Sequence, residues 1–162
     1  MTSYLRSRII VACLSVVPLI GCSDPTAPLP REGAPDELRF SFGGFAIGDV
    51  TLELQDSSVA MWGWTPGATI DTVRVVPNEE AWREFWSAAE RAGVRRWRSR
   101  YFAEGVIDGN GWSFRLVAGD FALESTGSNA YPDALGRERE LIMTDEFRLL
   151  RTALGKLVGE EL

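Results

Sequence analysis

From residue 37 onward, apolar and polar positions alternate in short runs. Leu38, Phe40 and Phe42 fall on one side and Arg39 and Ser41 on the other, which predicts a strand over residues 37–45 that loosens at Gly43 and Gly44. Val50, Leu52 and Leu54 repeat the alternation over residues 50–55, and the following Asp-Ser-Ser signals a turn. Two further runs, residues 59–64 and 69–76, flank Pro66-Gly67, so four antiparallel strands are expected. The period changes after Pro77. Trp82, Phe85, Trp86 and Ala89 stand at i, i+3, i+4 and i+7, with Asn78 placed to cap the helix, Glu79 and Glu80 in its first turn and Gly93 to close it. Alternation returns over residues 94–102, then over 112–117 and 121–126, which Ala118-Gly119-Asp120 joins as a hairpin. A last stripe, Phe147, Leu150, Leu154, Leu157 and Val158, predicts a helix over residues 145–158 capped by Thr144. Strands, helix, strands and helix in that order predict an α+β fold, an antiparallel sheet with two helices packed on one face.

The pattern before residue 37 is different in kind. Residues 1–8 carry Arg6 and Arg8 and no acid, and residues 9–20 are apolar apart from Ser15 and Pro18. About a dozen residues is short of the ~20 that span a bilayer as a helix and fits the apolar region of an export signal. Residues 23–36, SDPTAPLPREGAPD, hold four prolines and neither a twofold nor a helical period. They read as a tether, which at ~3.1 Å per residue in polyproline conformation reaches roughly 40 Å. The expected organisation is a signal peptide over residues 1–21, a cysteine and tether over 22–36, and one domain over 37–162.

The junction Leu19-Ile20-Gly21-Cys22 resembles the lipobox of bacterial lipoproteins. The resemblance implies that the Cys22 sulfur carries diacylglycerol, that the chain is cut just before Cys22 and that the new amine is acylated. These covalent lipids are the only prosthetic groups expected. Each buried CH₂ adds ~0.8 kcal/mol and one chain binds marginally, so several chains make a stable anchor. The implied address is the cell membrane or outer membrane, with the domain facing the periplasm or the exterior. An ordinary signal peptide cut elsewhere, or a core helix, is the alternative for this stretch. Under the lipobox reading Cys13 leaves with the signal and Cys22 becomes a thioether. No thiol then remains for a disulfide, and the domain must be held by packing.

Composition narrows the chemistry. Among 162 residues there is no histidine, which removes His-dependent triads and His-ligated zinc. Lysine and arginine number 17 against 23 acidic residues, and Lys156 is the one lysine. Loss of the signal takes Arg6 and Arg8, leaving 15 basic residues against 23 acidic. Such a balance argues against nucleic acid as a partner and favours cationic ones.

Several short stretches invite a functional reading beside an ordinary one. Asp108-Gly-Asn110 begins like a calcium loop, but Trp112 and Gly119 stand where ligands are needed, so a glycine-rich turn accounts for it. Arg96, Arg98 and Arg100 alternate with Trp97, Ser99 and Tyr101, as an anion-gripping row or as the solvated face of a strand. Trp62 and Trp64 share a strand face, as a platform for sugar rings or an apolar partner, or as core packed on the helix tryptophans. In residues 125–132, STGSNAYP, Gly127 can take positive φ, Asn129 can close a turn, and Pro132 forces Tyr131 into an extended conformation. With Trp97, Tyr101 and the Asp108-Gly turn, this stretch is similar to an uncharacterised family of small bacterial envelope and secreted proteins with a GSNAYP-like signature. The resemblance covers roughly residues 78–157 and implies no activity. Gly127, Ser128, Asn129 and Tyr131 are thus candidates for recognition or for a structural loop.

Carboxylates at Asp108, Glu124 and Asp133 are the material for a histidine-free hydrolase, although nothing in the sequence fixes their separation. Ser125 and Ser128 have no evident base. The expected function is a membrane-anchored envelope lipoprotein whose domain binds a protein or glycan without catalysis. The alternatives are an inhibitor of a cationic envelope-attacking enzyme, with residues 125–132 as its insert, and a carboxylate hydrolase.

Overall fold

A computed structural model describes residues 28–44, 46–106 and 108–162. The signal peptide, Cys22 and the first part of the tether lie outside the described residues. The class is α+β. Strands β1 (Glu37–Gly44), β2 (Gly48–Gln55), β3 (Ser58–Thr65) and β4 (Ala68–Val75) are followed by helix α1 (Glu79–Arg91). After it come a single 3-10 turn (Val94–Arg96), β5 (Arg100–Phe102), β6 (Asn110–Ala118), β7 (Phe121–Ser128), β8 (Ala130–Pro132), β9 (Glu138–Glu140) and helix α2 (Asp145–Val158). Seven strands form one sheet in the order β4-β3-β2-β1-β6-β7-β5, antiparallel except for the β5–β7 pair, and β8 and β9 make a separate antiparallel pair.

One face of the sheet supplies Leu38, Phe40, Leu52, Val59, Met61, Trp112, Phe114 and Leu116 to a single core that also takes Trp82, Phe85 and Trp86 of α1 and Leu150, Leu154 and Leu157 of α2. Phe147 is its centre. Its ring lies 4.9 Å from Trp112, 5.1 Å from Tyr131, 5.9 Å from Trp97 and 6.2 Å from Phe40. Aromatic pairs at such spacing add about 0.5–1.5 kcal/mol each beyond the area they bury. The helices start where their caps place them. Asn78 Oδ1 accepts from the Ala81 N–H at 2.8 Å, and Thr144 Oγ accepts from the Phe147 N–H at 3.2 Å while donating to the Pro132 carbonyl.

Two expectations are corrected. Residues 94–102 do not form one strand: Gly93 at φ 70° starts a 3-10 turn, and the strand is confined to Arg100–Phe102. The arginine row therefore does not exist as such. Arg96 donates to the Ala134 carbonyl, Arg98 pairs with Glu138 and lies over Tyr101, and Arg100 lies over Phe102.

The second correction concerns the tether. Residues 28–36 are fastened to the domain as a strap. Leu29 and Pro35 are buried, the Gly33 carbonyl accepts from the Trp86 indole N–H at 2.8 Å, the Asp36 N–H donates to Val117, and the Asp36 carboxylate accepts from the Gly119 N–H at 2.7 Å. A single leucine among prolines carries no periodicity, and the backbone carbonyl that holds Trp86 has no signature in the sequence.

Candidate functional site

The helices cover one face of the sheet, and the residues of opposite parity line the other. Register sorts this second face into rows. The first runs Ala60, Glu53, Arg39, Arg115, Glu124. Arg115 donates to Glu37 at 2.6 Å and to Glu124 at 3.2 Å, and these two carboxylates hold its guanidinium above the ordinary arginine range. Arg39 and Glu53 lie 3.9 Å apart. Pairs this exposed contribute roughly 0–1 kcal/mol each. Their effect is to keep the face wetted.

The second row is Trp62, Thr51, Ser41, Ser113, Thr126, and the third is Trp64, Asp49, Gly43, Gly111, Ser128, with Phe102 beyond it on β5. Between the tryptophans and Phe102 the floor is therefore built of hydroxyls, glycines and the Asp49 carboxylate, with Arg100 beside Phe102 on β5. Ser41 and Ser113 hydroxyls share a hydrogen bond of 2.7 Å. At Gly43 a side chain would begin 1.9 Å from Asp49 Oδ1, so the glycine is what allows the Asp49 carboxylate to lie across β1. Asp49 in turn accepts from the Trp64 indole N–H at 3.2 Å. Trp64 is 41% exposed, Phe102 42%, and Trp62 is half-buried. The core reading of the Trp62–Trp64 pair is thereby overturned. Trp82, Trp86, Trp97 and Trp112 fill the core, and the β3 pair lies on the far side of the sheet from them.

Residues 125–132 show the opposite outcome. Gly127 packs so closely that an added Cβ would lie 2.0 Å from the Trp112 indole nitrogen, which itself donates to the Ala130 carbonyl at 2.9 Å. Asn129, at φ 51° and buried, accepts from the Asn110 N–H through Oδ1 at 2.7 Å, donates its own N–H to Asn110, and receives the Leu141 N–H. Tyr131 is buried against Phe147, and that burial pushes its phenol above the ordinary tyrosine range. Ser128 is half-buried and Ser125 Oγ donates to the Arg98 carbonyl. These side chains hold β6, β7, β8 and α2 together.

The carboxylates proposed for hydrolysis occupy separate places. Glu124 is bound to Arg115 on the open face, and Asp108 is exposed in the loop before β6. Asp133 is buried in the β8–β9 turn. Burial opposes its ionisation, but the N–H groups of Arg137 and Leu135 and the Arg137 guanidinium, each at 2.8–2.9 Å, outweigh it and hold its pKa below the usual carboxylate range. Asp133 is a turn-former. Among the described residues, no group of three or more Cys, Asp or Glu side chains is placed to hold a metal ion.

Asp49, Phe102 and the hydroxyls of Thr51 and Ser113 are members of the open face that sequence reasoning did not single out. Asp49 precedes the β2 alternation, and its tie to Trp64 depends on register across a hairpin. No family model matches the chain, and no curated protein or solved structure matches it either.

Proposed function

We propose that the protein is an exported envelope lipoprotein, anchored through lipids on Cys22, whose domain is a non-catalytic binding module with a glycan as its ligand. The address rests on the Leu19-Ile20-Gly21-Cys22 junction. The observation that carries the binding is Trp64, a large aromatic held out of the core on a polar sheet face with its indole oriented by a carboxylate. An indole of this kind offers a flat apolar plane for the C–H face of a pyranose ring. The Asp49 carboxylate can accept hydrogen bonds from sugar hydroxyls as it does from the Trp64 indole, while the Ser41, Thr51 and Ser113 hydroxyls donate and accept. A floor of glycine, serine and threonine leaves room for a ring to lie flat. The inhibitor reading has less support, because within its insert, residues 125–132, Ser125, Asn129, Ala130, Tyr131 and Pro132 are buried in the domain.

Co-sedimentation with insoluble cell-wall glycan tests the binding. Wild-type protein is expected in the pellet, and Trp64→Ala is expected to lose at least about tenfold in retention, the loss of one good stacking contact with its bound carboxylate. Equal retention of the two proteins overturns the assignment. The address is tested separately by radiolabelled palmitate, which wild type should incorporate and Cys22→Ala should not.

A further inference from the structure

The strap changes what a lipid on Cys22 would do to the domain. From Cys22 to Leu29, the first buried residue of the strap, the chain advances seven positions, which spans at most about 25 Å fully extended. That is well under the reach of the whole proline-rich stretch. The strap ends beside the C-terminal half of α1, where Pro28, Leu29 and Arg31 border a shallow groove with Arg83, Trp86 and Arg91. Trp86 is buried and bonded to the Gly33 carbonyl, so the point of attachment is fixed to the helix layer. The open sheet face lies on the other side of the sheet.

The charge at this spot runs against that of the molecule. The chain carries a net −6, yet Arg31, Arg83, Arg91 and Arg95 gather here against Glu32 and Glu90. Arg95 is paired with Glu90 at 3.1 Å. Arg31, Arg83 and Arg91 are exposed, and among the described residues no carboxylate lies within ion-pair distance of them. Arg83 and Arg91 both line this groove from α1, and Arg31 reaches it from the strap. Glu80 and Glu84 also border Arg83 and Arg91 on α1, and Glu84 is engaged by Lys156 at 2.8 Å.

We propose that the α1 flank bearing Arg31, Arg83 and Arg91 is a membrane-contact surface that meets the phosphates of anionic lipid headgroups and turns the open sheet face away from the bilayer. The proposal rests on the lipid-anchor reading and adds orientation to it. A stretch of at most about 25 Å from Cys22 lets this flank reach the headgroups, and at their surface each arginine adds attraction that neutral lipids do not supply. Planar guanidinium groups suit phosphate oxygens. The domain would then lie on its helix layer and offer Trp64 to the cell wall or the exterior.

The test uses full-length protein purified from the membranes of expressing cells and reconstituted on vesicles of phosphatidylcholine alone or mixed with phosphatidylglycerol. Amide hydrogen exchange is followed by mass spectrometry. Residues 83–96 are expected to exchange about tenfold more slowly on the anionic vesicles, an effect erased by Arg83→Glu with Arg91→Glu and by high salt. Equal exchange of α1 on both lipids, or protection of β1–β3 in its place, overturns the proposal while leaving the anchor intact. Wild type that floats away from vesicles as freely as Cys22→Ala defeats the anchor reading, and the orientation falls with it.

Discussion

Two stretches of this chain, each open to a core or a recognition role from its sequence, resolve in opposite senses. The pair Trp62 and Trp64 has the spacing and bulk of core residues, yet Trp64 stands 41% exposed on the sheet face opposite the two described helices. Residues 127–131 have the glycine, asparagine and tyrosine of a recognition loop, yet Asn129 and Tyr131 are buried and bind their own neighbours. The difference teaches that twofold alternation says which residues share a face and nothing about which face the helices choose. In β3, Val59 and Met61 take the helix side, and the parity of the strand commits the tryptophans to the other. In the loop, a glycine is needed because Trp112 occupies the space that any Cβ would fill.

The sharpest break of this comparison is to truncate one aromatic of each kind. Tyr131→Ala opens a cavity beside Phe147 and is expected to destabilise the domain by about 4 kcal/mol, read as a fall in the chemical-denaturation midpoint. Trp64→Ala should change stability by less than about 1 kcal/mol, since most of what it removes is solvent-facing. Comparable losses in the two variants would contradict the assignment of faces.

A smaller effect is expected at Gly127. Gly127→Ala forces a methyl group into the Trp112 indole and should cost about 2–3 kcal/mol, measured on the same denaturation curves. A neutral result would mean that β7 and β8 can part, and that the loop is looser than its contacts suggest.

Asp133 sharpens the comparison through pH. Its folded pKa is depressed, so its contribution is fully present above the unfolded carboxylate pKa near 4 and is lost as pH falls through the lower folded value. Asp133→Asn should therefore destabilise by about 2 kcal/mol at pH 7 and converge on wild type in strong acid, as followed by thermal melts across pH. A gap that stays constant with pH would show that the turn does not depend on the charge.

The smallest effect is a gain. Leu141 sits at φ 62°, a conformation that L side chains rarely adopt, and the residue is 66% exposed. Leu141→Gly is expected to stabilise by about 1 kcal/mol in thermal denaturation by relieving that strain with little packing lost.

Much of the scaffold was legible because the relevant signals are local. The four-strand meander follows from alternation and from Pro66-Gly67, and both helices follow from stripes with Asn78 and Thr144 at their starts. What failed depended on contacts distant in sequence. Residues 94–102 alternate well enough for a strand, but Gly93 at positive φ turns the chain and Trp97 is drawn into the aromatic cluster around Phe147. The strap is held by a backbone carbonyl meeting an indole 53 positions away. Asp49 joins the open face because of a hairpin register, and Phe102 because β5 pairs in parallel with β7, and neither is written in nearby residues.

The central claim is that ligand meets the hydroxyl-and-glycine floor beside Trp64 and not the Gly127–Tyr131 stretch. Titrating ¹⁵N-labelled protein with cell-wall oligosaccharide fragments reads both surfaces in one set of amide spectra. Shifts concentrated at Trp64, Asp49, Gly43, Ser41 and Ser113, with the Trp64 indole signal moving most, are the predicted result. Shifts centred on Gly127, Asn129 and Tyr131, or spectra unchanged at millimolar fragment, would contradict it.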